Sequence, residues 1–320
     1  VVAGGKIIGE GWHRQYGGPH AEVNAVNSVP EAGRHLLHQA TLYVSLEPCC
    51  IFSKTPPCTD LIIGKGIPRV VISCLDATPA VSGNGVKKLR DAGVEVTTGV
   101  LKEMGEDIAA IRNVFAAKKR PFIILKFAKS KDGFMGQPCR QVWISGSLSA
   151  RLVHKMRGEF DAFLVGTATA VTDNPRLTNR LWHGRSPLRI VIDKELRLPP
   201  GHHLLDDSEF TWVITGQPTD GLGERFSKTR FIRLPFDQAL LPSLLALLYE
   251  HNKSSLVVEG GAVTLQHFLS AGLWDEAWVF TGESILGQGI AAPVIPGSMV
   301  QVQKIGADEL TIYRNEALGS

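Results

Sequence analysis

Along the first hundred residues, short β-branched runs alternate with stretches of helical periodicity. The spacing of apolar and polar positions predicts extended segments at 6–11, 41–46, 70–73 and 94–97, with helices at 20–28, 58–65 and 85–92. Gly64, Gly66 and Pro68 mark a helix end followed by a strand start, and Asp91-Ala92-Gly93 does the same one unit later. Such alternation predicts an α/β layer structure. The opening Val1-Val2-Ala3-Gly4-Gly5-Lys6-Ile7-Ile8-Gly9 reads as the second half of a hairpin, and with no initiator methionine or targeting peptide ahead of it, further sequence is expected upstream.

A helical stretch over 104–117 stops at Lys118-Lys119-Arg120-Pro121, where the apolar run Phe122-Ile123-Ile124-Leu125 begins. A domain boundary is expected there, dividing the chain into residues 1–117 and 118–320. Beyond it the pattern predicts strands at 122–127, 162–166, 189–193, 210–215, 256–259 and 276–280, and helices at 147–157 and 262–271. This is a second α/β domain, without internal repeats or low-complexity segments. A length of 320 residues agrees with two domains.

Composition narrows the class. With 44% hydrophobic and 20% charged residues the chain reads as an ordinary soluble globular protein. A net charge of +3, and no basic run denser than Lys118-Lys119-Arg120, argue against a nucleic-acid partner while leaving room for a small anionic substrate. The longest apolar stretches, such as residues 239–249, fall far short of the roughly 20 residues that span a bilayer. Three of the five cysteines crowd between Cys49 and Cys58, which suits metal binding in a reducing cytoplasm better than a disulfide framework.

That crowding has a chemistry. A tetrahedral zinc that activates water needs three protein ligands and an open fourth position, with thiolates and an imidazole among the usual donors. His20, Cys49 and Cys58 supply the set. In zinc-dependent nucleobase deaminases a glutamate two residues after the ligand histidine is not a ligand but moves protons between water, ring and leaving ammonia, in an H-x-E…P-C signature. His20-Ala21-Glu22 and Pro48-Cys49 match it, which makes Glu22 the candidate catalytic base. The eight residues between Cys49 and Cys58 exceed the tight C-x-x-C spacing, but Cys58 follows Pro56-Pro57 at a predicted helix start, and a helix N-terminus favours thiolate. A lone histidine or cysteine is ordinarily core or surface filler; four residues of the right kinds together reverse that reading. Cys50 could be a fourth thiolate and close the site into a structural one. Cys74 reads as core, and Cys139 sits in a polar loop.

At this point the chain resembles a family. Pro19-His20-Ala21-Glu22-Val23, Leu46-Glu47-Pro48-Cys49 and Lys54-Thr55-Pro56-Pro57-Cys58 are similar to the bifunctional riboflavin-biosynthesis deaminase/reductases. Lys126 with Ser130-Lys131-Asp132-Gly133, then Val165-Gly166-Thr167-Ala168-Thr169, Asp173-Asn174-Pro175-Arg176-Leu177-Thr178 and Val258-Glu259-Gly260-Gly261, resemble their reductase half in the same order. The resemblance implies a cytidine-deaminase-like three-layer domain followed by a dihydrofolate-reductase-like domain, with zinc and NADPH as cofactors. It implies hydrolytic deamination of a diamino-ribosylamino-pyrimidinone 5′-phosphate, then NADPH reduction of the opened ribose to a ribityl chain, in a cytoplasmic homodimer. It further implies that Ala128, Trp143, Thr169, Asp173, Lys194 and Gly261 line the dinucleotide, and that Gln141, Arg157, Leu177, Arg180 and Glu259 face the phosphoribosyl substrate.

The residues themselves speak to part of this. Gly260-Gly261 between an apolar strand and a helix is a natural phosphate cradle, though equally a plain turn. Arg157 and Arg180 suit bidentate phosphate contacts, as they would suit a solvated surface. Asp173-Asn174-Pro175 could position a ligand near a β–loop end or simply turn the chain, and Trp143 could equally be core. After Cys49 the family usually has Ser-His-His or Ser-His-Tyr and then Gly, where this chain has Cys50-Ile51-Phe52-Ser53; the family's N-terminal helix and Asn-Pro-x-Val-Gly segment do not precede Val1. Two further readings stand beside the bifunctional enzyme. One is a reductase or nucleotide-binding protein whose zinc is structural or inactive. The other is an RNA- or DNA-base deaminase, against which the near-neutral charge argues.

Overall fold

The structure, a computed structural model, describes every residue except Tyr16, Ser53, Cys139 and 317–320. It divides into two compact units, Val1–Lys119 and Arg120–Ser320.

The first unit runs β1 (Val2–Ala3), β2 (Lys6–Ile7), α1 (Ala21–Asn27), a 3-10 helix (Glu31–Gln39), β3 (Thr41–Leu46), α2 (Cys58–Gly64), β4 (Arg69–Cys74), α3 (Asn84–Asp91), β5 (Glu95–Thr98) and α4 (Lys102–Lys118). Its sheet has the order β2-β1-β3-β4-β5, in which β3, β4 and β5 are parallel and β1 is antiparallel to both neighbours. The opening segment is not half a hairpin. Both arms lie within residues 2–7, joined by Gly4-Gly5 with both glycines at positive φ, and the extended segment expected over 6–11 ends at Ile7. Val26, Val29, Leu42, Ile62, Ile67, Ile72 and Leu89 close the core between sheet and helices. Glu47 ties the turn after β3 to the start of α3: its buried carboxylate accepts the N–H groups of Asp76, Gly83 and Val86.

The second unit comprises β6 (Phe122–Lys129), β7 (Phe134–Gly136), α5 (Ser147–Glu159), β8 (Ala162–Gly166), α6 (Thr167–Asp173), β9 (Leu188–Ile192), β10 (Thr211–Thr215), β11 (Thr229–Arg233), α7 (Leu240–Glu250), β12 (Ser255–Val258), α8 (Ala262–Ser270), β13 (Glu276–Thr281), β14 (Ile290–Ala291), β15 (Ser298–Ile305) and β16 (Asp308–Arg314). Nine strands form one sheet in the order β11-β10-β9-β8-β12-β6-β13-β16-β15, parallel from β11 to β13 and antiparallel from β13 to β15. Strands β8 and β12 are buried along their whole length, which is why they read as unbroken apolar runs rather than alternations. A buried Arg120–Asp275 pair at 2.6 Å, with the Ile123 N–H on the same carboxylate, anchors the chain where this unit begins.

The sheet order reverses around β8, β12 and β6. From β8 the chain steps outward to β11, then returns to insert β12 between β8 and β6. In open parallel sheets ligands bind beyond the carboxyl ends of the strands at such a reversal. Here that edge carries Gly166 at the end of β8 and Glu259-Gly260-Gly261 after β12. Among the described residues no helix is long and apolar enough to cross a membrane; residues 239–249 belong to α7, which buries Leu241, Leu244, Leu245 and Leu248.

Candidate functional site

Three elements of the first unit deliver one cluster. His20 is the N-cap of α1, Cys58 opens α2, and Cys49 lies in the turn that follows β3. One donor atom from each lies within 4.8 Å of the others, and among the described residues this is the one such group of three. His20 Nδ1 stands 3.5 Å from Cys49 Sγ and 3.4 Å from Cys58 Sγ, while its Nε2 faces Thr55 Oγ1 at 3.5 Å. A neutral ring with its proton on Nε2 therefore offers the Nδ1 lone pair to a metal between the two sulfurs, and the threonine hydroxyl holds that tautomer. Two thiolates and an imidazole in convergent positions fit zinc. Cys50 turns instead toward the Ala80 carbonyl at 3.8 Å, so the closed, structural version of the site loses the residue that would have made it.

The electrostatics agree with thiolate chemistry. The Cys58 thiol and then His20 hold Cys49 down to about 4, and the Cys58 backbone N–H, free at the helix start, donates to Cys49 Sγ at 3.3 Å. Sharing a proton with Cys49 pushes Cys58 upward, and the Cys49 sulfur raises His20. Glu22, in the first turn of α1, is only 8% exposed, and burial raises its carboxyl above the ordinary glutamate value. A buried carboxyl that gains and loses a proton closer to neutrality is what a proton shuttle requires.

In the second unit the sheet reversal marks the cleft at which a ligand is expected. Gly260 and Gly261 have φ of 143° and 50°, and a Cβ on Gly261 would stand 3.0 Å from Thr169 Oγ1, so the turn ahead of α8 leaves room that a side chain would fill. The N-terminus of α8 stands behind this turn, an arrangement whose free N–H groups suit an anion. Beside it, Arg157 near the end of α5 bonds both Glu259 oxygens at 3.2 and 3.0 Å and donates to the Thr178 carbonyl at 3.3 Å. Arg180 donates to Thr178 Oγ1 at 2.6 Å. Burial, then the like charges of Arg157 and Arg176, lower the Arg180 guanidinium. Burial acts to raise the Glu259 carboxyl, but Arg157 and Lys126 hold it below its ordinary value.

The remaining expected residues lie on several elements of the second unit. Thr169 and Asp173 lie on α6, so Asp173 ends a helix rather than standing at a β–loop end, and burial raises its carboxyl. Ala128 is on β6, while Lys194 follows β9 and accepts the Gly216 N–H and the Thr215 hydroxyl with its carbonyl. Gln141 and Trp143 occupy the loop before α5; Trp143 is 80% exposed and not a core residue, and Asp308 steadies the loop's far end through Gly146 N and Ser149 Oγ. Leu177, expected to face the substrate, is wholly buried at a φ of 52° and presents no surface to a ligand. Cys139 lies outside the described residues.

Two residues of this cleft carried no assigned role in the sequence. Lys126 packs against the Phe280 ring, with Nζ 5.6 Å from the centroid, and burial pushes its ammonium below the ordinary lysine value. The signal was one charge inside the apolar run of β6, where lysine is rarely placed without purpose. The other, His154, gave no signal, because a single histidine on a helix is unremarkable until its contacts are seen.

Comparison with known proteins follows the same division. Residues 1–74 match the family described as the cytidine and deoxycytidylate deaminase zinc-binding region, and residues 121–317 match the RibD C-terminal domain. The riboflavin biosynthesis protein RibD of Aquifex aeolicus is 38% identical over 293 residues, covering 91% of this chain and 81% of that protein. That of Bacillus amyloliquefaciens is 35% identical over 310 residues, covering 95% and 82%. A crystal structure from Thermotoga maritima, described as a diaminohydroxyphosphoribosylaminopyrimidine deaminase/5-amino-6-(5-phosphoribosylamino)uracil reductase, superposes with a TM-score of 0.85 at 35% identity, covering 98% of this chain and 90% of that one.

Proposed function

Since the chain belongs to the RibD family of riboflavin-biosynthesis proteins, we propose that it performs two consecutive reactions, a deamination in residues 1–117 and an NADPH-dependent reduction in residues 118–320. The fold is α/β, a cytidine-deaminase-like unit followed by a dihydrofolate-reductase-like one. The substrate of the first step is 2,5-diamino-6-ribosylamino-4(3H)-pyrimidinone 5′-phosphate. The second step reduces the opened ribose of the resulting aminouracil phosphate to a ribityl chain. The observation that carries this reading is one chain holding both a convergent His20–Cys49–Cys58 set beside a buried acid and a glycine cradle beside clustered arginines.

His20, Cys49 and Cys58 are the ligands of zinc, which when bound supplies an activated water for attack on the ring carbon. Glu22 takes a proton on its carboxylate and returns it to the departing amine, and its burial keeps the carboxyl basic enough for both transfers. In the second unit Gly260 and Gly261 would hold the diphosphate of NADPH, which would supply the hydride when bound. Thr169, Ala128, Trp143, Asp173 and Lys194 are assigned to the rest of the dinucleotide. Arg157 and Arg180 bind the 5′-phosphate, supported by their mutual charge and by the Glu259 brace, while Gln141 borders the substrate. Lys126 holds its proton loosely at Nζ and is suited to give it as the ribose carbon is reduced.

The test is a pair of assays on one preparation. A chelator should stop ammonia release from the diaminopyrimidine phosphate, added zinc should restore it, and NADPH oxidation with the aminouracil phosphate should continue throughout. Wild type that releases no ammonia, or that oxidises no NADPH with that substrate, removes the corresponding half of the proposal.

The cytoplasm suits free thiols at Cys49, Cys50, Cys58 and Cys74. The assembly we propose is a homodimer through the second units. Edge strand β15 exposes Met299, Val300 and Val302, and an exposed apolar edge invites pairing with another copy. Light scattering should give a dimer mass for wild type and a monomer for Val302→Lys; a wild-type monomer rejects the assembly.

A further inference from the structure

His154 lies on α5 one turn from Arg157's face of the cleft, is 5% exposed, and has no part in the chemistry described above. Its Nδ1 accepts two backbone N–H groups, from Arg180 at 2.9 Å and from Leu181 at 3.4 Å. These belong to the segment after α6, whose backbone is strained: Asn174 and Leu177 hold φ of 43° and 52°, a region that non-glycine residues keep only when their surroundings fix them. Each stretch of the segment is pinned from outside. Asn174 Oδ1 accepts the His203 N–H at 2.8 Å, the Leu177 side chain is buried, the Thr178 carbonyl accepts Arg157, and the Asn179 N–H donates to Ser186 Oγ at 3.3 Å. At Arg180 the side chain that takes the backbone N–H is His154.

Its charge state matches the role. The groups facing the ring are Arg157 on its own helix, Arg180 and the Asn179 amide on the segment, and Glu259 after β12. Burial, then Arg157 and Arg180, hold the imidazole down to about 4, so it is neutral at physiological pH and Nδ1 keeps the lone pair that both N–H groups require.

We propose that His154 is a positioning residue of the reductase site: by fixing the backbone at Arg180 and Leu181, it aims the Arg180 guanidinium at the substrate's 5′-phosphate. The proposal rests on the reading of Arg157 and Arg180 as the phosphate ligands. It separates His154 from an ordinary space-filling core residue, whose loss would lower stability without touching discrimination between phosphorylated and dephosphorylated substrate.

The experiment measures NADPH oxidation by the full chain with the aminouracil ribotide and with its dephosphorylated riboside, in wild type, His154→Leu and His154→Asn. Wild type should favour the ribotide strongly in KM. His154→Leu removes the acceptor and leaves buried N–H groups unmet; it should raise KM for the ribotide roughly tenfold and leave kcat, the KM for NADPH and the KM for the riboside near wild type. His154→Asn returns an oxygen near the place of Nδ1 and should restore the ribotide KM. Equal rises for ribotide and riboside in His154→Leu, or a folded His154→Asn that fails to rescue, overturn the proposal. A wild type that does not distinguish the two substrates instead overturns the phosphate assignment of the arginines, and this inference with it. Should His154→Leu not fold, His154→Gln, whose amide reaches one bond further, takes its place; His154→Gln and His154→Asn with the same ribotide KM would also overturn the role.

Discussion

Glu22→Gln is expected to lower ammonia release from the diaminopyrimidine phosphate by roughly 10²- to 10⁴-fold, the range that a positioned acid–base group contributes, while NADPH oxidation with the aminouracil phosphate stays at the wild-type rate. Glutamine keeps the volume and the hydrogen-bonding shape of a side chain packed in the first turn of α1. It lacks only the titratable carboxylate. His20, Cys49 and Cys58 remain in place, so zinc content, read by elemental analysis, should be unchanged. Substantial ammonia release by a zinc-replete Glu22→Gln would mean that the proton passes through another group. Loss of both activities would mean that the substitution acts through folding.

A second large effect is expected at Glu259. Its carboxylate takes both bonds from Arg157 and lies in the field of Lys126, so Glu259→Gln leaves two cations of the cleft without their counter-charge. Removing one member of a buried ion pair costs about 3–5 kcal/mol, and for a unit of this size that corresponds to a fall in Tm on the order of 10 °C. Reduction should be lost with it, since Arg157 no longer has its brace. The pH dependence carries the same signature. The Glu259 carboxyl sits lower in the folded chain than when unfolded. Its stabilisation is therefore fully present above the ordinary glutamate value, about 4.3, and disappears as the pH falls through the lower folded value. Wild type should show this acid-limb loss and Glu259→Gln should not. A variant as stable as wild type at neutral pH, with the same acid limb, would mean that the pair contributes nothing.

The metal set was legible because its residues advertise themselves locally: His20 and Glu22 share one turn, and Cys49 and Cys58 are bracketed by prolines. The central strands were legible for a related reason, being buried on both faces and so uninterrupted in apolar character. Elsewhere local pattern failed. The helix Thr167–Asp173 has three threonines and a valine in seven residues, weak helix formers held in place by packing, and without it Asp173 reads as a loop residue. The antiparallel strand Ser298–Ile305 is exposed along nearly its whole length, and Asp308–Arg314, though mostly buried, mixes polar residues among its apolar ones, so neither shows a clear alternation. Lys126 and His154 acquire meaning only from partners far along the chain, at Glu259 and Arg180, and no spacing rule reports contacts of that separation.

The strand order also sets a sequence of events in time. β12 is flanked by β6 and β8, yet it is synthesised some 90 residues after β8 ends. Until it arrives, β6 and β8 each present an unpaired edge to a gap one strand wide, the most adhesive surface a growing sheet can have. The residue that follows β12 is Glu259, whose bond to Arg157 spans 102 residues. Filling that gap and bracing Arg157 are thus one event: a chain released before residue 255 has neither its central strand nor the Glu259 brace, and a ribosome that has not yet passed that codon holds a nascent protein with two open strand edges for a chaperone to cover.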